Sequence, residues 1–131
     1  MAGMTFRHDC SRGCWINSRA WDWAILKGCF GMTGIEPTDL DGLVERNGHY
    51  LLLETKDATE HGLDVGQHIT FSGLARDKDF TVIIIYGLRN QPERLTIFHP
   101  GGGVDAAVPT NLQDTRARIT AWFAAADKDA A

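Results

Sequence analysis

The dipeptide Asn47-Gly48 constrains this chain more than any other feature. Both residues tolerate the positive φ that a two-residue hairpin turn requires if its strands are to keep their natural twist. The flanking stretches 40–46 and 49–56 read as the two strands of that hairpin. With Asn47 and Gly48 as the whole loop, Arg46 opposes His49, and the numbers of every opposed pair sum to 95. Asp41 then faces Glu54, and Asp39 faces Lys56. Side chains alternate with period two along a strand, so these four share one face of the hairpin.

The rest of the chain supplies elements to pack against that hairpin. Residues 1–14 show no period and read as an N-terminal loop segment. Asn17 offers a helix cap, and Trp21, Ala24, Ile25 and Gly28 follow at helical spacing, predicting a helix over 17–28. A second helix is expected over 65–77, with Val65, Ile69, Ser72, Gly73 and Arg76 on one face. The continuous apolar run 80–86 predicts a strand covered on both sides, and 95–99 a further strand that Gly101-Gly102-Gly103 breaks. A last helix is expected over 111–126 with Leu112, Ile119, Trp122 and Phe123 toward the core, followed by a frayed tail over 127–131. The order helix, hairpin, helix, strand, strand, helix predicts an α/β fold, one mixed sheet flanked by helices in a single domain, 1–131.

Composition narrows the function classes. Hydrophobic residues make up 44% and charged residues 23% of the 131 positions, ordinary for a water-exposed globular chain. No apolar run reaches the ~20 residues of a membrane-spanning helix, so no membrane partner is expected. The N-terminus lacks the basic start and apolar stretch of a secretory signal, which predicts a cytoplasmic protein. Three cysteines, an odd number, argue against a disulfide framework. The net charge of −4 counts mildly against nucleic-acid binding, although bound cations or a local basic patch could offset it.

The hairpin carries the chemistry. Opposed Cβ atoms in a hairpin lie about 4.5–5.5 Å apart, so two ionised carboxylates there repel unless a cation lies between them. Opposite charges across a hairpin are ordinary surface ladders, and that reading accounts for Asp39 with Lys56. It does not account for Asp41 facing Glu54. Mg²⁺ takes hard oxygen ligands, typically one or two carboxylates with waters and substrate phosphate. Asp41 and Glu54 would supply the carboxylates and the Thr55 carbonyl a further oxygen. Lys56 points into the same space, where it would orient or activate water or neutralise charge on a phosphate.

The stretch 37–42, Pro-Thr-Asp-Leu-Asp-Gly, followed by 51–56, Leu-Leu-Leu-Glu-Thr-Lys, resembles the PD-(D/E)XK or restriction-endonuclease-like nuclease superfamily. In that family an acid on one strand is followed by Glu or Asp, any residue, and Lys on the next. Asp41 matches the first acid, and Glu54 with Lys56 the second motif. Asp39 resembles the extra upstream acid of small phage-type members. Gly66-Gln67, opening the helix after the hairpin, resembles the glutamine many members place beside the metal. Asp22 is similar in position to an acid that members carry on the first helix. The likeness spans about residues 17–87 and departs at one point, because the strand expected before the first acid has only the Gly-rich 29–35 to form it. It implies a restriction-endonuclease-like fold with Mg²⁺ or Mn²⁺ held by Asp41, Glu54, Thr55, Asp39 and Asp22. It implies catalysis by Asp41, Glu54, Lys56 and Gln67, and a phage-encoded endonuclease that cuts DNA during processing or recombination in the host cytoplasm. A domain of this size cutting both strands would act as a homodimer.

Other residues carry weaker signals. His8, Cys10, Cys14 and Cys29 have ligand types for Zn²⁺, but the spacing matches no strong zinc pattern, and plain thiols are the better reading. His68 lies a quarter-turn from Gln67, at the pocket edge or in solvent. His49, His61 and His99 read as surface residues and Glu45 as part of a solvated face. Trp15, Trp21 and Trp23 could stack on bases, yet core packing is the commoner fate. Gly101 to Gly103 is no phosphate loop, because no Lys-Ser or Lys-Thr follows. Arg7, Arg12, Arg19, Lys27, Arg76 and Lys78 are candidates for the rim of a phosphate site, or scattered solubilising charge. Three alternatives stay open: the same hairpin acting on RNA, a non-catalytic DNA-binding or assembly protein on the same fold, and a zinc-binding interaction module.

Overall fold

The computed structural model describes residues 23–35, 37, 40–57 and 65–129. The chain divides into two units, Met1–Pro37 and Thr38–Ala131. In the first, Trp23–Leu26 forms a single turn of 3-10 helix, closed by turns in which Lys27 and Cys29 donate to the carbonyls of Ala24 and Leu26. Over the described part of 17–28 the structure therefore has a 3-10 turn where an α-helix was expected. Residues 27–35 are turns and irregular backbone, with Gly28, Gly31 and Gly34 at positive φ, so no strand forms there.

The second unit holds β1 (Gly42–Arg46), β2 (His49–Lys56), α1 (Val65–Ala75), β3 (Phe80–Leu88), β4 (Gln91–Phe98), β5 (Val108–Pro109) and α2 (Leu112–Lys128). The five strands form one mixed sheet in the order β1-β2-β3-β4-β5. β2 and β3 are parallel and joined through α1, and the remaining pairs are antiparallel. The hairpin register runs from Arg46↔His49 to Gly42↔Leu53, as the Asn-Gly turn requires, with Asn47 at φ 53° and Gly48 at φ 82°. β1 is two residues shorter at its start than the expected 40–46.

Alternation along the strands sorts the core into two clusters, one per face. Leu52, Val82, Ile84, Tyr86 and Phe98 face α1 through Phe71, Leu74 and Ala75. Leu51, Ile83 and Leu95 face α2 through Ile119 and Trp122. α1 buries a different stripe from the one its spacing suggested, whereas α2 turns Ile119 and Trp122 to the core as expected but not Leu112 and Phe123. Val65 and Ile69 are 76% and 67% exposed, while Phe71 and Ala75 are buried. Phe71, Leu74 and Ala75 also fall at helical spacing, and burying them removes more apolar area than burying Val65 and Ile69 would. On α2 the buried stripe is Thr115, Ile119, Trp122 and Ala126, which turns Leu112 and Phe123 outward. α2 also runs past the expected end, because the hairpin turn caps it: Asn47 Nδ2 donates to the carbonyls of Ala126 and Asp127. Residues 127 and 128 thus belong to the helix and Asp129 to its cap, while 130 and 131 lie outside the described residues.

β4 begins four residues earlier than expected, and β5 was not expected at all. The tight connection at Arg89-Asn90, with Asn90 at φ 61°, closes β3 and β4 into a second hairpin. Gly87 makes it possible: a Cβ there would lie 2.2 Å from the Gln91 carbonyl oxygen. Among the described residues no helix is long and apolar enough to cross a membrane.

Candidate active site

The candidate residues collect at the carboxyl ends of the parallel pair, where ligands bind in open α/β sheets. Glu54 and Lys56 lie on β2, on the face that α1 covers, in register with Ile84 and Tyr86 of β3. The β1–β2 ladder stops at Gly42↔Leu53, one step short of Asp41. Asp41 is therefore not in the strand, as expected, but in the bend that leads into it. The next β2 amide on the β1 side, that of Thr55, has no strand residue opposite. Asp41 takes that place with its side chain: Oδ2 accepts from Thr55 N at 2.8 Å and from Thr55 Oγ1 at 2.9 Å. In an antiparallel ladder the N–H and C=O of a residue point to the same side, so the Thr55 carbonyl also points toward Asp41.

Glu54 is 4% exposed although it is a carboxylate. Gln67, two residues into α1, reaches down to it, with Nε2 donating to Glu54 Oε2 at 3.0 Å. The glutamine's Oε1 is buried as well. The Glu54 side chain lies beside the Asp41 carboxylate and helps to hold its pKa down. Partial burial alone would raise the Asp41 pKa. The hydrogen bonds from Glu54 and Thr55 and the positive charge of Lys56 outweigh it and hold Asp41 below its ordinary 3.8.

Asp41, Glu54, Thr55, Lys56 and Gln67 thus come together. Asp22 and Asp39 lie outside the described residues, as do His8, Cys10 and Cys14 of the zinc candidates, while Cys29 is an exposed free thiol. Among the described residues no three His, Cys, Asp or Glu side chains form a metal-holding group. Two carboxylates and a carbonyl suit Mg²⁺, which keeps several waters and draws other ligands from its substrate. The donor set is all oxygen, and a cation there would offset the charge of the two neighbouring acids.

The neighbouring candidates separate from this site. His68 is exposed, 3.3 Å from Ser72 Oγ and edge-on to Phe98. Glu45 is exposed and accepts from Gly48 N at 2.8 Å, and His99 pairs with Asp105. His49 is half-buried between Asp79 and Asp129, not a plain surface residue. Trp23 is 45% exposed and not part of a core; Trp15, Trp21, His61, Arg7, Arg12 and Arg19 lie outside the described residues. Gly101 to Gly103 form an exposed loop at positive φ. Arg76 and Lys78 follow α1 and precede β3, so they sit at the opposite end of the sheet from Glu54 and do not rim the site. Arg94 on β4, by contrast, lies in the row of Lys56, in register with Tyr86. Its strand was assigned too short in the sequence, and the polar run Gln91 to Arg94 hid the alternation that would have found it.

No family model matches the chain, and no curated protein or solved structure matches it.

Proposed function

We propose that this protein is a Mg²⁺-dependent endonuclease with a restriction-endonuclease-like fold, hydrolysing phosphodiester bonds in DNA. One observation carries the reading: a buried glutamate meets a second carboxylate at the end of a strand that places a lysine two residues on. Burying a carboxylate beside another costs stability, so such a pair points to a task other than folding. The likeness of 37–42 and 51–56 to the small phage-type nucleases adds to it, with a role in DNA processing or recombination.

Asp41, Glu54 and the Thr55 carbonyl would hold the ion. When bound, Mg²⁺ would polarise the phosphate and make a metal-bound water more acidic. Gln67 fixes the rotamer of Glu54 through its hydrogen bond, so the carboxylate needs no reorganisation. Lys56 projects from the same face of β2 as Glu54, and its ammonium would lie beside the attacking water or a non-bridging phosphate oxygen. There it orients that water or offsets the charge that builds in the transition state. The positive end of α1, which begins at Val65, adds a favourable field at the same end of the sheet.

Cleavage of supercoiled, linear, single-stranded and branched DNA, and of matched RNA, tests the proposal with Mg²⁺, with Mn²⁺ and with chelator. Metal-dependent cutting is expected, lost in Lys56→Ala while the circular-dichroism spectrum is unchanged. Wild-type turnover by Lys56→Ala overturns the role of that lysine. Nucleic-acid binding without metal binding or cutting would favour a binding or assembly protein on the same fold, the reading that the acidic balance favours and the set of Asp41, Glu54 and Lys56 disfavours.

A further inference from the structure

The sheet carries a second cation beside the candidate site, and its partner is an aromatic ring rather than a carboxylate. Lys56 of β2 is in register with Tyr86 of β3, and Tyr86 with Arg94 of β4. The three form one row across the sheet, on the face that also carries Glu54 one row back. Tyr86 is 7% exposed, whereas Arg94 is exposed. The Arg94 guanidinium lies 4.7 Å from the centre of the Tyr86 ring. It is therefore carried off β4 and over β3, toward Lys56. Among the described residues it makes no ion pair. The register shifts just beyond, between Tyr86 and Gly87, leaving Glu93 as the extra residue of a bulge. Bulges of this kind re-aim side chains beside active sites.

A guanidinium stacked on a ring keeps its N–H edge free, and that edge fits phosphate oxygens in a planar fork. Strands lie about 4.8 Å apart, so β4 is roughly 10 Å from β2 at this row. A phosphate at Glu54 and Lys56 is too far for Arg94 to share from its own strand, but the next phosphate along a chain is within reach of the stacked guanidinium. We propose that Arg94, held on Tyr86, grips the phosphate that neighbours the one at Glu54 and Lys56. The site would then select a polynucleotide backbone over a small phosphodiester. This inference rests on the phosphodiester-hydrolase reading of the Glu54 site.

The test compares wild type, Arg94→Ala, Arg94→Lys and Lys56→Ala on two substrates: an oligodeoxynucleotide and bis(4-nitrophenyl) phosphate. Arg94→Ala is expected to raise KM for the oligonucleotide about tenfold with kcat within twofold, and to leave the small substrate unaffected. Arg94→Lys, which keeps the charge but loses the planar fork, falls between. Binding of the same oligonucleotide, followed by fluorescence anisotropy with Ca²⁺ in place of Mg²⁺, gives a readout independent of turnover. There the slope of log affinity against log salt should shrink by roughly 0.7–0.9 in Arg94→Ala, the loss of one phosphate contact. Unchanged KM and slope in Arg94→Ala, with the small substrate still cut by wild type and not by Lys56→Ala, overturn the Arg94 proposal alone. If wild type cuts neither substrate, the hydrolase reading fails. The anisotropy slopes then still decide Arg94: a reduced slope upholds it, and an equal slope or no binding overturns it.

Discussion

The two ends of strand β2 hold similar groups in opposite arrangements. At the turn end, Arg46 pairs with Asp127, and His49 lies between Asp79 and Asp129. Asn47 caps the last carbonyls of α2, and the Arg46 guanidinium sits 5.7 Å from the Phe123 ring. Arg46, Asn47 and His49 each meet a group of complementary character at the end of the second helix, and these contacts fasten the hairpin to it. At the other end, Asp41 and Glu54 put two acids against each other, one of them buried. Pairing opposite charges at a surface is worth under ~1 kcal/mol and needs no further reason. Burying a like-charged pair is unfavourable and persists when something else is gained. Folding explains the first end, and the second is the end to which the proposed chemistry is assigned.

The sharpest way to break that contrast is Glu54→Gln. Glutamine keeps the shape of glutamate without its charge, can donate to Asp41, and can accept from Gln67. The fold therefore holds, and the melting temperature stays level or rises. Metal binding followed by calorimetry should vanish, and cleavage should fall by more than ~10²-fold, the upper range for residues that merely support a metal ligand. A melting temperature lowered by several degrees with cleavage intact would make Glu54 a structural residue and erase the difference between the two ends.

The hairpin was legible because its signals are local. Asn47-Gly48 specifies the turn, the turn specifies the register, and period-two alternation then brings Glu54 and Lys56 to one face. The meeting of Asp41 with Glu54 followed from the same arithmetic, although it is made by a side chain beyond the ladder's end and not by a strand pair. What was hidden depends on distance along the chain. Asn47 caps a helix that ends about 80 residues later, as its bond to the Asp127 carbonyl shows. Nothing in residues 127–129 themselves announces a partner. Helix faces were misread where two stripes compete, as in α1, because the sheet chooses the stripe with more apolar area. Arg94 was missed for another reason: Gln91, Pro92, Glu93 and Arg94 look like loop, and the bulge at Gly87 that lets them pair has no reliable sequence mark.

His49→Gln tests the turn end and should move the opposite property. His49 is half-buried, so losing its contacts with Asp79 and Asp129 is expected to cost about 1 kcal/mol or less. Urea denaturation would show a lower midpoint with an unchanged slope, while cleavage and metal affinity stay at the wild-type level. A loss of cleavage without loss of stability would mean that the groove lined by His49, Asp79, Trp122 and Asp129 takes part in the reaction.

The smallest effect is the pH dependence that the acid pair lends to the metal-free fold. Asp41 is held below its ordinary pKa of 3.8, burial opposing this and the hydrogen bonds from Glu54 and Thr55 with the charge of Lys56 prevailing. In the unfolded chain Asp41 takes up a proton near its ordinary value, and in the folded chain only at lower pH. The stability it contributes is thus fully present above about 3.8 and is lost as pH falls through its lowered folded value. Asp41 is exposed, so solvent screening keeps the contribution small. With chelator present, denaturation midpoints of wild type and Asp41→Asn should draw together as pH drops from 5 toward about 2.5, since the variant has no such stabilisation to lose. Midpoints that stay equally far apart across that range would show that Asp41 is not held ionised by its neighbours. The open end of β2 would then be an ordinary strand terminus, and the contrast with the turn end would rest on Glu54 alone.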